Sequence, residues 1–442
     1  MNFKKIIKYS VITIGYLILI FGLFIDYIII TGGNLIFSLL DIIFSAIVIY
    51  TAIFFAIIMI IMIRLHSKKH KYWLIPLILG FFIIILNLFP LFSAPYIVSN
   101  GDNQFRNEFG INYMDNISVD KKAKFKSTPI SFWELINSVE IPDCNISYDT
   151  EVYATRGNDS YTFDVYSPLQ GNGPFPAIIL IHGGGWVRGD KGQLSVVSRY
   201  LAAQGYVIFD IRYGLAKFSE MGIQIPSNIN PDLFNSKIYN ESITIPQMVK
   251  NIGKFTDYLV ANKDRYHINL SSVFIMGRSA GAHLAGLFLG YKGAFSGIFN
   301  TSMNIRGIIL YYPPANLTMF YNSLLDDPVN KLAPGSTEHY FSYLLNGTPT
   351  TNKTAYDLYS PVSHVDSNSP PVLIFHGMHD KLVPYKLSVQ LQNRMHAYNR
   401  PCILISYPFY GHAMDALRNG IGGQTAVYYL ERFLAFTLEN NI

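Results

Sequence analysis

Directly after the apolar run Val273-Phe274-Ile275-Met276 the chain reads Gly277-Arg278-Ser279-Ala280-Gly281. No other feature restricts the fold as much. A buried strand must end there, turn too tightly for neighbouring Cβ atoms, and enter a helix, lifting the serine Oγ clear of the sheet. About a hundred residues upstream a second apolar run ends in His182-Gly183-Gly184-Gly185-Trp186. Glycines after a strand let bare backbone approach a ligand and aim N–H groups at an oxyanion.

A serine raised on such a turn reacts only if a base takes its proton and an acid holds that base in one tautomer. Pro371-Val372-Leu373-Ile374-Phe375 reads as a strand leading into His376-Gly377-Met378-His379-Asp380. Cys402-Ile403-Leu404-Ile405-Ser406-Tyr407 reads as the next strand, followed by Tyr410-Gly411-His412-Ala413. Ser279, Asp380 and His412 thus follow one another as Ser…Asp…His, each behind a strand, the order an α/β-hydrolase requires.

On these segments the chain resembles α/β-hydrolases of the HGGG esterase/lipase group, similar to hormone-sensitive-lipase-like carboxylesterases and their carbohydrate-esterase and prenylcysteine-methylesterase relatives. The resemblance runs from about Tyr148 to the C-terminus. It covers HGGGW, Gly-Asp-Lys at 189–191, GRSAGAHLAG, Ser360-Pro361-Val362-Ser363-His364-Val365, HGMHDKLVP and YGHA. It implies Ser279 as nucleophile, His412 as base, Asp380 as acid, and no cofactor. The oxyanion hole would be the N–H groups of Gly184, Gly185 and Ala280, with Gly183 as a substitute donor. Arg278 departs from the His, Glu, Asp or Gln usual before the serine, and Asp210-Ile211-Arg212-Tyr213-Gly214 only partly matches the usual D-Y-R-L-A-P. Both departures bear on substrate choice rather than on the triad.

The first 98 residues are of another material. Tyr9 to Ile30 and Leu35 to Ile63 carry one charge each, Asp26 and Asp41; Trp73 to Val98 carries none. Each reaches the ~20 residues that cross a bilayer, so residues 1–98 are expected to form a three-helix transmembrane anchor with spans near 9–30, 40–63 and 73–95. Lys4, Lys5 and Lys8 precede the first span, and Arg64, Lys68, Lys69 and Lys71 separate the second from the third. The positive-inside rule then puts the N-terminus in the cytoplasm and everything after the third span outside. Asp26 and Asp41 lie near span ends, as anchors do. Residues 1–98 hold seven Lys/Arg and two Asp/Glu, which accounts for the chain's whole +5. With the remainder neutral and no basic stripe, nothing points to nucleic acid.

Residues 99–150 read as a polar juxtamembrane connector with a short helix near 131–139, and 151–442 as the α/β-hydrolase domain, a mostly parallel sheet flanked by helices. Expected strands are 161–166, 177–181, 207–211, 273–276, 307–311, 372–375 and 403–407. Expected helices are 194–204, 245–263, 280–290, 386–397 and 423–440. Residues 214–244 and 313–360 fit neither pattern, and each follows a strand end, where open α/β sheets bind ligands; both are lid candidates.

His182 reads as a residue shaping the glycine turn, His283 as packed on the elbow helix, and Trp186 as a wall of the acyl side. His376-x-x-His379-Asp380 has metal-like spacing, yet nothing supplies further ligands, so no metal is expected. Cys144 and Cys402 are the only cysteines; they make no disulfide framework, though one pair remains open. The reading is a membrane-anchored serine hydrolase acting on a small-molecule or lipid ester. Acyl transfer to a non-water acceptor, peptide hydrolysis, and a non-catalytic binding module stay open as alternatives, as does the oligomeric state.

Overall fold

A computed structural model describes residues 3–31, 44, 47–66, 71–137, 139–149, 151–156, 159–217, 242–327 and 336–440. Its centre is a nine-stranded sheet: β1 (Asn145–Ser147), β2 (Val152–Arg156), β3 (Asp159–Ser167), β4 (Phe175–Ile181), β5 (Val207–Ile211), β6 (Ile268–Arg278), β7 (Ile305–Tyr311), β8 (Val372–Gly377) and β9 (Cys402–Tyr407). The order is β1-β3-β5-β4-β6-β7-β8-β9, with β2 also on β3. Pairing is antiparallel at β1–β3, β2–β3 and β3–β5, and parallel from β5 through β9. The parallel strands are continuous apolar runs because helices cover both faces, and β5, β8 and β9 are buried at every position.

β1 and β2 were not among the expected strands. Their polar, half-exposed residues pair only with β3, so neither carries the apolar run that marks a central strand. The segment 313–360 is not structureless: it holds helices Leu317–Leu325, Ser336–Leu345 and Lys353–Leu358. Asn316 and Asn352 cap the first and last of these by accepting from Met319 N and Ala355 N. Of the lid candidate 214–244, residues 218–241 lie outside the described residues. Cys144 and Cys402 are both free. They sit at opposite edges of the sheet, several strand spacings of ~4.8 Å apart, beyond the reach of a disulfide.

Two N-terminal helices, Phe3–Thr31 and Val48–Leu65, are long and apolar enough to cross a membrane. They run antiparallel. A Cβ on Gly15 would stand 2.2 Å from Met62 Sδ, and one on Gly22 would stand 2.7 Å from Phe55, so these glycines let the helices close up. Residues 40–43, 45 and 46 of the expected second span lie outside the described residues. The third block is not one straight span. Helix Leu74–Asn87 is followed, after a 46° bend, by helical residues Phe89–Phe109. Pro90 and Pro95 each fall in the first turn of a new helical piece, where a missing N–H costs nothing but the preceding helix cannot continue. Asp26 is not at a solvated span end: it is fully buried, facing Asn87, whose Oδ1 accepts from Thr51 Oγ1 at 2.6 Å.

The helix Ala94–Phe109 then lies along β9, the edge strand. Asn100 Oδ1 accepts from Ser406 N (2.9 Å), Gln104 Oε1 from Leu404 N (3.4 Å), and Glu108 Oε2 from Cys402 N (3.3 Å). Four helical residues rise ~6.0 Å and two strand residues ~6.8 Å, so side chains four apart meet every second N–H. Ile97 and Phe105 are fully buried beneath this helix, and Gly101 leaves room for the Tyr429 ring. Residues 116–137 continue along the final helix, Ile421–Glu439. Ser118 N and Oγ donate to Glu439, Lys126 N donates to Glu431, and Ser131 N donates to Gln424 Oε1.

Candidate active site

The serine turn has the geometry its glycines demand. Ser279 stands at φ 51°, ψ −119°, a region that L-residues avoid unless the surroundings impose it. A Cβ on Gly277 would stand 2.3 Å from Gly281 O, and one on Gly281 would stand 2.2 Å from Ile181 O. The helix Ala280–Gly286 is thereby pressed against the end of β4, where the glycine run begins. Trp186, Tyr312, Phe409 and Ala413 share positive φ with Ser279, and all lie beyond the carboxyl ends of β4, β7 and β9. Five of the ten positive-φ non-glycine residues among the described residues thus lie on the rim where open α/β sheets bind ligands.

The three residues expected to cooperate are brought together. His412 Nε2 lies 3.0 Å from Ser279 Oγ, and His412 Nδ1 lies 2.7 Å from Asp380 Oδ2. Asp380 is saturated: Oδ1 accepts from Leu382 N and Val383 N, and Oδ2 also meets His376 Nε2 at 3.2 Å. Burial alone would raise its pKa, but the imidazoles of His412 and His376 outweigh that and hold the carboxyl below the usual carboxylate range. His376 is held from its other side by Ser388 Oγ at 2.6 Å. The loops bearing the acid and the imidazole are laced together, with Met378 N donating to Tyr407 O and His379 N to Tyr410 O.

Of the glycine run, Gly183 is not a free donor, because its N–H goes to Gln193 Oε1 at 2.9 Å. This removes it as a substitute for its neighbours. Among the described residues no acceptor meets the N–H of Gly184, Gly185 or Ala280. Gly184 stands at φ 128°, and a Cβ there would stand 1.9 Å from Arg188 O, so no other residue fits. His182 closes the turn through Nδ1 on Gly183 O (2.9 Å), stacked on Tyr213, whose hydroxyl donates to His182 O. Burial lowers its pKa to about 4, leaving it neutral. His283 is likewise neutral and buried, accepting from Trp186 Nε1 and donating to Tyr359 O. Trp186 packs toward Phe320 and Tyr340, and the Tyr340 hydroxyl donates to Gly185 O, so the helices Leu317–Leu325 and Ser336–Leu345 lie over the glycine run.

Sequence reasoning missed one network. Arg278 Nε donates to the Tyr312 hydroxyl (2.8 Å), and its Nη2 donates to Asp415 Oδ1 (3.0 Å). The same hydroxyl donates to Asp415 Oδ1 at 2.8 Å. The Tyr312 ring lies 4.3 Å from that of His412. The only signal in the chain was the odd cation before the serine and an aspartate three residues after His412.

The BD-FAE family profile matches residues 163–230 and 235–395, together just over half of the chain. The chain belongs to the BD-FAE family. This places it in the α/β-hydrolase carboxylesterase group, in keeping with the resemblance its motifs carry. The BD-FAE match takes in Gly184, Gly185, Ser279, Ala280 and Asp380 and stops short of His412. Among relatives, the probable carboxylic ester hydrolase LipM of Mycobacterium tuberculosis is 24% identical over 268 residues, 60% of this chain and 54% of its own length. Esterase LipC of the same organism is 25% identical over 263 residues, 57% and 56% respectively. The isoprenylcysteine alpha-carbonyl methylesterase ICME of Arabidopsis thaliana is 24% identical over 268 residues, 58% and 56%. The chain thus spans about half the length of the relatives it matches. Among solved structures, the propionate-bound esterase Est2 of Thermogutta terrifontis superposes at TM-score 0.47 with 18% identity, over 67% of this chain and 93% of that one.

Proposed function

We propose that the chain is a membrane-anchored serine hydrolase that cleaves carboxylic esters through an acyl-enzyme on Ser279. The observation that carries this is the relay of short contacts from Ser279 Oγ to His412 to Asp380, in a family whose relatives include named ester hydrolases. His412 Nε2 takes the Ser279 proton as Oγ attacks the ester carbonyl carbon. The N–H groups of Gly184, Gly185 and Ala280 receive the charge that develops on the carbonyl oxygen. The tetrahedral adduct collapses with cleavage of the bond to the alcohol oxygen, which leaves with the proton from His412. Water then attacks the acyl carbon, giving its proton to His412, and the acid departs as Ser279 recovers its hydrogen. Ionised Asp380 keeps the Nδ1–H tautomer in place throughout.

The test is hydrolysis of a p-nitrophenyl ester series by the full chain in detergent. Ser279→Ala should lower turnover by several orders of magnitude with unchanged circular dichroism; a variant that keeps substantial activity ends the proposal.

The two apolar helices, with the bent third, are proposed as the anchor. The basic residues at 4–8 and 64–71 put the N-terminus in the cytoplasm and the hydrolase outside. A cysteine placed at exposed Asn368 should react with a membrane-impermeant maleimide on intact cells. Reaction only after lysis would invert the topology.

A further inference from the structure

The loops that carry Asp380 and His412 rest on the ends of the apolar helices. His379, next to Asp380, directs Nδ1 at Ile29 O (3.4 Å) in the last turn of the first helix. Phe409, three residues before His412, packs on Phe89 at the bend with ring centres 5.4 Å apart, and Ser93 Oγ donates to Pro408 O. Tyr410 and Leu417 line a small cavity with Ile47–Tyr50, the start of the second helix. The end of the first helix, the start of the second and the bend of the third therefore meet the rim of the site together. Where apolar helices end, the hydrocarbon ends, so the rim sits at the level of the bilayer surface.

The surface beside it is apolar and uncovered. Phe132 and Trp133 are 69% and 75% exposed, and Ile136 and Met378 are also exposed. The Tyr50 hydroxyl donates to Ile136 O, which ties this short helix to the second membrane helix. An open groove of about 770 Å³ runs from the bend to residues 129–132; its lining is mostly apolar, with Leu91, Phe92, Ile130 and Phe132, and also takes in Asp102 and Arg106. Trp and Tyr collect at the headgroup level of bilayers because one end of the ring is apolar and the other wet, and Phe132 adds apolar area beside Trp133. Exposed rings beside helix ends, continuous with an apolar groove, fit a lipid surface.

We infer that the substrate is an ester whose apolar chain is dissolved in the outer leaflet and is taken from the membrane surface at this rim. The inference rests on the ester-hydrolase and membrane-anchor readings and narrows the substrate class.

The full chain, reconstituted in phosphatidylcholine vesicles, is given soluble p-nitrophenyl butyrate or a long-chain oleate ester of 4-methylumbelliferone dissolved in the bilayer. The oleate rate should follow the mole fraction of ester in the membrane. Phe132→Ser with Trp133→Ser should lower it at least fivefold while leaving the butyrate rate, which also reports folding, unchanged. Trp133→Ser alone serves if the double variant does not accumulate. Ser279-dependent butyrate hydrolysis with no turnover of the bilayer ester overturns the inference, as does an equal fall of both rates in the variant. A protein inert to both esters and unlabelled by a fluorophosphonate probe overturns the catalytic reading itself, and this inference with it.

Discussion

Arg278 adjoins Ser279 in the chain, yet its bonds are to Tyr312 and Asp415, and through the Tyr312 ring they back the imidazole of His412. Beside buried Asp415, the guanidinium stays charged despite its own burial. Arg278→Ala would leave the Asp415 carboxylate uncompensated, a loss on the order of 3–5 kcal/mol, visible as a fall in melting temperature. Tyr312→Phe keeps the ring and removes the bridge, so it should cost about 1–2 kcal/mol and lower kcat more than it raises KM. Asp380→Asn should cost on the order of 10⁴ in kcat by releasing the wrong imidazole tautomer, with the fold retained. Asp210 gives a pH signature. Burial pushes its carboxyl up to about 8, against the opposing hydrogen bond from Gly192 N. A folded pKa above the unfolded value of about 4 means the folded state binds the proton more tightly, so stability is lost as pH rises from about 4 to about 8. Asp210→Asn keeps an acceptor for Gly192 and should gain stability relative to the native chain across that window. A difference in melting temperature that is flat between pH 5 and pH 8 would refute this. At this scale the serine, aspartate and histidine were readable because each terminates an apolar run. The Arg278–Tyr312–Asp415 bridge was not, because its members are far apart in the chain and belong to no periodic pattern.

The elements divide the same way. The strands from β4 to β9 announce themselves as largely apolar runs that lead into glycine or proline, and the amphipathic crossover helices as apolar stripes. The helix Ala94–Phe109 was hidden. Its outer half reads as a polar connector because Asn100, Gln104 and Glu108, four apart, look like a solvated face, when that face in fact lies on the N–H row of β9. An open edge strand invites pairing with other chains, and this stripe occupies it. Replacing any one of the three acceptors by Ala should cost about 1 kcal/mol. The triple variant should self-associate, which sedimentation velocity would detect; a monodisperse triple variant argues against edge protection. Gly101→Ala should be worse than any single one, since the new Cβ would meet the Tyr429 ring at 2.2 Å.

For the whole molecule, the boundary suggested by composition at residue 98 cuts through the helix that docks on the sheet. A chain starting at residue 88 keeps the bend, Ile97, Phe105 and the β9 stripe. It should stay folded and, on the proposed chemistry, hydrolyse soluble esters. A chain starting at residue 110 loses all of these and should aggregate, a contrast that size-exclusion chromatography of the two would settle. Hydropathy showed where apolar material stops, but not where the structural unit begins, because the helix Ala94–Phe109 starts inside the apolar block and runs past residue 98 into polar sequence.

The stitched helix also has a mechanical meaning. A tether of loose residues would let the body it carries bob and swivel over the membrane, reaching groups at many heights. Here the stretch that leaves the apolar bundle is bolted along an edge strand within a few turns of its bend, so on the proposed anchoring the body would be held at one clearance and one tilt. The reach of Ser279 is then a fixed working distance, set by the residues between the bend and Asn100. Lengthening that spacer by a helical turn would lift the site by ~5.4 Å and take it out of register with whatever lies flush beneath it.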